Sequence, residues 1–250
     1  MASAVIVVPC YNEGHRLDVA TFRSFTAGSH RIAFLFVNDG STDDTLAVIE
    51  SLTASDPDRF RVLNLRRNSG KAEAVRQGIL AGIDAKTDYV GFWDADLATP
   101  LSTIREFIEV ADARPELEVI IGSRVKLLGR DIERRPARHY SGRVFATAAS
   151  VILDLPVYDT QCGAKLFRCS STLPSLFQQR FVSRWVFDVE ILARLIEARR
   201  ASSLAQPEQV VYESPLRQWH DVAGSKVRWI DFARSAWDLL RIRAHYRMRR

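Results

Sequence analysis

Residues 4–9 are Ala4-Val5-Ile6-Val7-Val8-Pro9, and this uninterrupted apolar run is the stretch that decides the fold. A strand that is buried on both faces has this composition, because neither face meets water and the pattern does not alternate. Such a strand lies inside a parallel sheet whose two faces are covered by helices. The run therefore predicts an α/β protein.

The rest of the first half repeats the same unit, a short apolar strand followed by a helix. Further strands are predicted at 32–37, 62–65, 89–93 and 119–121, and helices at 43–54, 71–85 and 101–113. This alternation predicts a mostly parallel, Rossmann-like central sheet flanked by helices. The second half predicts helices at 136–153 and 187–199, short strands at 163–167 and 209–212, and a charged mobile loop at 124–138.

Composition and charge limit the classes of partner. The 250 residues carry a net charge of +5, and residues 228–250 alone hold seven Arg and two Asp. A localised basic excess favours phosphates or anionic lipid, and we expect no nucleic acid. The three cysteines have no CxxC spacing, so neither a disulfide framework nor a zinc site is indicated.

A pair of carboxylates directly follows the predicted strand at 89–93. Asp94 and Asp96 stand at positions i and i+2, where a strand end points them towards the ligand side of the sheet. Two such groups can hold a hard divalent cation, Mg²⁺ or Mn²⁺, with phosphate oxygens completing the shell. The cation would neutralise a departing nucleotide diphosphate. Taken alone, the pair is equally compatible with a helix cap, because Thr99 and Pro100 follow.

Three other polar motifs follow predicted strands in the same way, at 9–14, 38–44 and 68–71. Tyr11 can stack on a nucleobase, Glu13 can bind a ribose hydroxyl, and Asp39 can accept hydrogen bonds from a base or ribose. Lys71 begins a helix, where it and the neighbouring amides can meet phosphate. Each motif alone is also compatible with a capped loop. Because the carboxyl ends of parallel strands meet at one edge, we expect all four motifs to line one rim.

These residues, in this order, resemble the inverting family 2 of nucleotide-sugar glycosyltransferases, which have the GT-A fold. Motifs of the second half resemble its dolichyl-phosphate β-glucosyltransferase branch: Gly122-Ser123-Arg124, DTQCGAKLF at 159–167, RWVFDVE at 184–190 and Gly224-Ser225-Lys226. The resemblance extends from about Val5 to about Tyr246. Mannosyl relatives carry a Gln metal ligand at the position of Ala98, so the resemblance favours glucose over mannose.

The resemblance implies an activity and a set of site residues. The activity is transfer of a hexose, glucose from UDP-glucose, to a polyprenyl or dolichyl phosphate with inversion. The implied nucleotide-sugar contacts are Pro9, Tyr11, Glu13, Asp39, Lys71, Asp94, Ala95, Asp96 and Lys226, with metal at Asp94 and Asp96. The implied acceptor-phosphate contacts are Arg124, Arg138 and Ser141.

We assign the catalytic set to Asp94, Asp96, Arg124, Arg138 and Asp159. A lipid phosphate is already anionic near neutral pH, so we expect no strongly perturbed general base. The physical problem is to bring two anions together, with the cation holding one and the two arginines the other. Asp159 is an auxiliary base, the group that orients the arginines, or a carboxylate that only orders its own loop.

We expect a single GT-A domain at 1–225, with a nucleotide-sugar half at 1–123 and an acceptor half at 124–225. A basic amphipathic helix is predicted at 226–250, lying on an anionic membrane surface, packing on the domain, or both. No apolar run approaches the roughly 20 residues that span a bilayer, and no secretory signal is visible. We therefore expect a cytoplasmic protein attached peripherally to the membrane. The alternatives are another donor (GDP-mannose, UDP-galactose or UDP-GlcNAc), a non-lipid acceptor, and a non-catalytic nucleotide-sugar-binding module.

Overall fold

The computed structural model describes residues 1–84, 86–133, 136–200, 204–222 and 229–246, with the backbone alone at 136–141 and 229–233. The strands in this part of the chain are β1 Ser3–Cys10, β2 Arg31–Asp39, β3 Phe60–Leu65, β4 Tyr89–Trp93, β5 Val119–Ser123, β6 Asp131–Glu133, β7 Ala164–Arg168, β8 Val211–Pro215 and β9 Gln218–His220. The helices are α1 Val19–Ser24, α2 Thr45–Ser55, α3 Lys71–Gly82, α4 Ser102–Ala113, α5 Pro136–Leu153, α6 Leu173–Gln178, α7 Phe187–Arg200, α8 Pro207–Val210 and α9 Trp229–His245.

Seven strands form one sheet in the order β3-β2-β1-β4-β7-β5-β8. Strand β7 runs antiparallel to its neighbours β4 and β5, and the other pairs are parallel. The prediction of a mostly parallel sheet is confirmed. Strands β6 and β9 pair in parallel as a separate small sheet.

The sheet lies between two hydrophobic cores, and β1 contributes to both. Val5 and Val7 belong to one core, whereas Ala4, Ile6 and Val8 belong to the other. Helices α3, α5, α6, α7 and α9 cover the first face, and α1, α2 and α4 cover the second. Because successive side chains of a strand point to opposite faces, a strand between two cores needs apolar residues at every position. This explains the uninterrupted run at 4–9.

Two of the sequence predictions in the second half are wrong. The strand predicted at 209–212 begins only at Val211, and residues 209–210 belong to α8, because Pro207 suits a first helical turn and the Gln209 side chain accepts a bond from the Gln206 amide at 3.1 Å. The predicted loop at 124–138 contains β6 and the start of α5. In β6 only Ile132 is buried, an alternation too short to recognise in a charged stretch.

Helix α9 packs part of its apolar side on the domain. Leu239, Ile242 and Tyr246, just beyond its end, are buried in the core that also contains α5 and α7. Trp237 and Leu240 are exposed. No helix in the described part of the chain has the length and hydrophobicity needed to cross a bilayer. Residues 226–228 and 247–250 of the predicted helix lie outside the described residues.

Candidate active site

The four polar motifs meet at one edge of the sheet. Strands β3, β2, β1 and β4 are adjacent and parallel, so their carboxyl ends lie side by side. Pro9 lies near the end of β1, Asp39 ends β2, and Lys71 begins α3 after β3. Asp94 and Asp96 follow β4. The structure thus brings these residues to the common rim that the sequence predicts.

Asp94 sits in a space that Gly163 leaves open. Its amide donates to the Gly163 carbonyl at 3.0 Å, and a Cβ on Gly163 would lie 1.9 Å from Asp94 Oδ2 and 2.7 Å from Oδ1. The glycine is required here for space, because any side chain would collide with the carboxylate. The DTQCGAKLF motif contained Gly163, but the sequence analysis assigned it no role.

A buried ion pair supports the backbone next to Gly163. Lys165 Nζ donates to Asp188 Oδ1 at 2.5 Å and to the Cys162 carbonyl at 2.6 Å. Both side chains of the pair are almost fully buried. Removing one partner of such a pair leaves an uncompensated charge in the core. Lys165 and Asp188 therefore fix the segment on which Asp94 rests, a function that the sequence analysis did not identify.

The charges in the cleft are strongly coupled. Lys71 Nζ lies 2.5 Å from Asp94 Oδ1. Burial lowers the pKa of Lys71, but Asp94, Asp188 and Asp96 outweigh that effect, and the pKa is raised overall. Burial, followed by the charge of Asp94, raises the pKa of Asp96, and the Ala98 amide at 3.1 Å from its Oδ1 offsets part of this rise. Lys71 is therefore a permanent cation beside two carboxylates.

Asp39 organises the loop that precedes α3. It is buried, and its two oxygens accept hydrogen bonds from the amides of Ser69 and Gly70, each at 2.7 Å. Burial raises the pKa of Asp39, and the two amides counteract it. A carboxylate has further lone pairs, so this arrangement leaves room for the predicted nucleotide contact. That contact stays a prediction.

The loop after β1 is tied to the loop after β2. The Asn12 amide donates to Ser41 Oγ at 3.0 Å, and the Glu13 amide donates to Thr45 Oγ1 at 2.8 Å. Asn12 has a φ of +53°, and Tyr11 beside it is partly exposed at the rim. These bonds hold the segment of the predicted base- and ribose-binding residues against the loop that follows Asp39.

Arg124 and Asp159 form a bidentate pair. Arg124 Nε and Nη2 each lie 2.7 Å from an oxygen of Asp159, whose Oδ2 also accepts from the Arg124 amide at 3.0 Å. The guanidinium lies 5.4 Å from the centre of the Trp219 ring, and Glu213 accepts from the Asp159 amide at 2.7 Å. Of the roles left open for Asp159, this geometry supports orientation of the arginine.

Arg124 and Asp94 interact electrostatically. Burial lowers the pKa of Arg124, but Asp159 outweighs it, and Asp94 is close enough to contribute to the net rise. The carboxylates and the arginine therefore belong to one electrostatic site. Arg138 and Ser141 lie in α5, where only the backbone is described, and Lys226 lies outside the described residues. Their acceptor and nucleotide roles stay predictions.

The residues at the rim fit a divalent cation. Asp94 Oδ1 is buried, and its close contact among the described residues is the Lys71 ammonium at 2.5 Å. Asp94 and Asp96 together supply the oxygen ligands that hard cations prefer. Ala98 has no ligand atom, so these two carboxylates are the protein ligands that this motif offers.

A second group of potential ligands lies on the small sheet. Asp131, Glu133 and His220 offer atoms within 4.8 Å of one another, and all three residues are exposed. The two imidazole nitrogens instead lie beside different carboxylates, at 3.2 and 3.5 Å. We interpret the group as surface ion pairs.

Comparison with known proteins gives consistent matches. The family model described as Glycosyl transferase family 2 matches residues 5–173. The chain is 32% identical over 262 residues to dolichyl-phosphate beta-glucosyltransferase of Saccharomyces cerevisiae, covering 96% of this chain and 74% of that protein. It is 30% identical over 258 residues to the Dictyostelium discoideum protein of the same name, with 96% and 74% covered.

Among solved structures, the chain is similar to glucosyl-3-phosphoglycerate synthase from Mycobacterium tuberculosis in complex with Mn²⁺, uridine diphosphate and glucosyl-3-phosphoglycerate. The TM-score is 0.60 at 15% identity, with 98% of this chain and 80% of that chain covered. A likeness at this identity concerns the fold, and it confirms the GT-A architecture expected from the sequence.

Proposed function

The chain belongs to glycosyl transferase family 2, and from this premise we propose that it transfers glucose from UDP-glucose to a polyprenyl or dolichyl phosphate with inversion. The observation that carries the proposal is the charge arrangement of the cleft. Two carboxylates, Asp94 and Asp96, lie beside Lys71, and Asp159 holds Arg124 through a bidentate pair. Such a site can receive a diphosphate and a second phosphate together.

Different comparisons support the proposed donor and the proposed acceptor. The yeast and Dictyostelium relatives are named for transfer of glucose to dolichyl phosphate. The mycobacterial structure contains uridine diphosphate and Mn²⁺ on the same fold. Tyr11, Glu13, Asp39 and Lys71 would contact the nucleotide from the rim, together with Pro9, Ala95 and Lys226.

Asp94 and Asp96 would hold a Mg²⁺ or Mn²⁺ ion. That ion would supply positive charge to the leaving diphosphate. Lys71 adds a cation at the same place, and its raised pKa keeps it charged at neutral pH. The N-terminus of α3, which Lys71 begins, adds backbone amides that favour phosphate.

In the proposed reaction an oxygen of the lipid phosphate forms a bond to the anomeric carbon. The bond from that carbon to the UDP oxygen breaks, and its electron pair leaves with UDP. No proton has to be removed, which agrees with Asp159 being engaged by Arg124. Because that pair occupies Nε and Nη2, the acceptor phosphate would use Nη1 of Arg124, with Arg138 and Ser141 completing the clamp.

We also propose that the protein works at an anionic membrane surface. Helices α5 and α9 pack against each other, and both expose large apolar residues. Val144 and Val151 are exposed on α5, and Trp237 and Leu240 on α9. Arg241 and Arg243 follow on α9. Apolar side chains with neighbouring arginines are the composition that an anionic interface attracts.

The remaining parts of the proposal concern organisation and location. Residues 1–123 would bind the nucleotide sugar, residues 124–225 would bind the acceptor, and 226–250 would form the membrane-binding helix. Attachment would be peripheral and on the cytoplasmic face. Other donors, a non-lipid acceptor and a non-catalytic binding module remain the alternatives.

A donor screen tests the activity. UDP-glucose, GDP-mannose, UDP-galactose and UDP-GlcNAc are each incubated with a short polyprenyl phosphate and Mg²⁺ or Mn²⁺. We expect glycosylated lipid and free UDP with UDP-glucose, and neither product with Asp96→Ala or after chelation of the metal. Turnover with another donor, or with a sugar hydroxyl but not the lipid phosphate, would replace the proposal by the matching alternative. No turnover with any donor would favour the binding module.

Co-sedimentation with vesicles tests the membrane surface. We expect Trp237→Ser with Leu240→Ser to reduce binding to anionic vesicles, and Leu204→Ser, an exposed apolar residue after α7, to leave it unchanged. Arg241→Gln with Arg243→Gln should weaken binding more at low than at high salt, because salt screens exposed charges. Equal binding by all variants would reject this surface.

A further inference from the structure

We propose that Arg184 is a positioning residue for the donor nucleotide, acting through the loop at 67–70. The residue lies in the acceptor half but reaches the loop that precedes α3 in the nucleotide half. This inference rests on the proposed function, because the nucleotide is the ligand that the loop is expected to bind.

Arg184 lies directly against Gly70. Gly70 has a φ of +93°, and its missing side chain makes room for the guanidinium: a Cβ there would lie 3.0 Å from Arg184 Nε and 3.1 Å from Nη2. Nη2 also approaches Asn68 Oδ1 at 3.5 Å. The loop and the arginine are therefore in close contact, since even a Cβ at position 70 would require the guanidinium to shift.

The same loop is held by Asp39. Asp39 accepts from the amides of Ser69 and Gly70, each at 2.7 Å, while Arg184 packs against Gly70. Burial raises the pKa of Asp39 most strongly and Glu73 raises it slightly, whereas the two amides and Arg184 lower it. Arg184 thus acts on Asp39 both through the loop and through its charge.

The backbone that carries Arg184 is fixed on both sides. Buried Glu190 accepts hydrogen bonds from the amides of Val182 and Ser183. Ser183 Oγ accepts from the amides of Trp185 and Val186 and donates to Asp238 Oδ2 at 2.7 Å. The arginine therefore extends from a segment that precedes α7 and is hydrogen-bonded to both α7 and α9. A rigid support is what a residue that sets the position of a binding loop requires.

A neighbouring arginine provides a matched control. Arg180 and Arg184 both line a cavity of about 350 Å³ beside the loop. Arg180 is exposed, and its nearest carboxylate is Glu73 at 3.8 Å. The two residues therefore contribute the same charge to this surface, but only Arg184 packs against Gly70. If only the charge of this surface matters, removing either arginine should weaken nucleotide binding. If the contact with Gly70 matters, only the loss of Arg184 should weaken it.

The test compares the wild-type protein with Arg184→Gln, Arg184→Lys and Arg180→Gln. UDP affinity is measured by calorimetry, and kcat and KM are measured for the donor and acceptor. We expect Arg184→Gln to weaken UDP binding and raise the donor KM by about 10-fold, the loss of one charge-assisted contact, with kcat and the acceptor KM within about twofold. Arg184→Lys should recover part of the loss, and Arg180→Gln should behave as wild type.

The pH dependence separates positioning from general support of the fold. In Arg184→Gln the acid limit of UDP binding should move to higher pH, because Asp39 loses a neighbouring positive charge, and Arg184→Lys should keep the wild-type limit. Unchanged UDP binding by Arg184→Gln, or an equal loss in Arg180→Gln, would overturn the role of Arg184. Absence of UDP binding by the wild-type protein would instead overturn the proposed donor, and this inference with it.

Discussion

Substitution of Gly163 by alanine tests how narrowly the position of Asp94 is set. The new Cβ would lie 1.9 Å from Asp94 Oδ2 and 2.2 Å from Cγ, so the carboxylate has to move by about 1.5 Å to reach an ordinary contact. A misplacement of about 1 Å at a reacting centre can cost roughly 100-fold in rate. We therefore expect Gly163→Ala to reduce glucosyl transfer by about 100-fold or more.

The assay follows UDP release from UDP-glucose in the presence of polyprenyl phosphate and a range of Mn²⁺ concentrations. Gly163→Ala should also need more Mn²⁺ for half-maximal rate, because the displaced residue, Asp94, is a proposed metal ligand. Gly82→Ala is the control: its Cβ would meet Val5 and Val90 side chains at 3.1 Å, away from the carboxylates. The added methyl group should lower the free energy of unfolding by roughly 1–3 kcal/mol in either variant, because it crowds a packed interior.

The two variants should therefore both lose some thermal stability, but only Gly163→Ala should lose turnover and Mn²⁺ affinity. Turnover within about threefold of wild type in a folded Gly163→Ala protein would refute the reasoning. It would show that Asp94 either relaxes without consequence or does not work from the position seen in the structure.

Three further substitutions separate the roles of the charged residues. Asp159→Asn should lower turnover by about 100-fold and raise the acceptor KM, because Arg124 loses its orienting partner. UDP affinity should change little. Loss of the acid limb of the pH–rate profile would instead identify Asp159 as a base. Lys71→Gln should weaken UDP binding by about 10-fold or more. Because the pKa of Lys71 is raised, wild-type binding should show no alkaline loss below the pH at which an ordinary lysine titrates, and an earlier loss would contradict this. Asp96→Asn should abolish turnover but raise the unfolding temperature at pH 7. The pKa of Asp96 is raised, so the folded state binds the proton more tightly than the unfolded state does. Wild-type stability therefore falls as the pH rises from the unfolded-state pKa through the folded-state pKa of Asp96. The gain in unfolding temperature should vanish in acid, where Asp96 of the wild type is protonated. A gain that is constant with pH would disprove the electrostatic explanation.

The parts of the fold that follow local rules could be predicted from the sequence. The apolar run at 4–9 and the strand at 89–93 are continuous and bounded by polar motifs, so their burial and the positions of Asp39, Lys71 and Asp94 at one edge follow from the rule for parallel sheets. The antiparallel insertion of β7 between β4 and β5 could not be predicted, because strand order depends on contacts between distant segments.

The same limit applies to the site. Residue types identified Asp94 and Asp96 as ligand candidates, but nothing local indicates that Gly163 must lack a side chain, since its neighbour in space is about 70 positions away in sequence. The contact of Arg184 with Gly70 is equally non-local. Lys165 and Asp188 look like ordinary charged residues in sequence, and their near-complete burial is visible only once β7 and α7 pack together.

The segment at 159–165 contacts residues proposed for both substrates, and this restricts how the protein can be recombined. Asp159 holds Arg124, the arginine proposed for the acceptor, whereas Gly163, four residues later, leaves space for Asp94, the carboxylate proposed for the donor. A chimera joined after residue 123, designed to exchange acceptor specificity between two family members, would also replace the segment containing Gly163, which leaves space for Asp94. Such chimeras should lose donor affinity unless the introduced half carries the same sequence at 159–165. We therefore expect that the two halves cannot be exchanged independently.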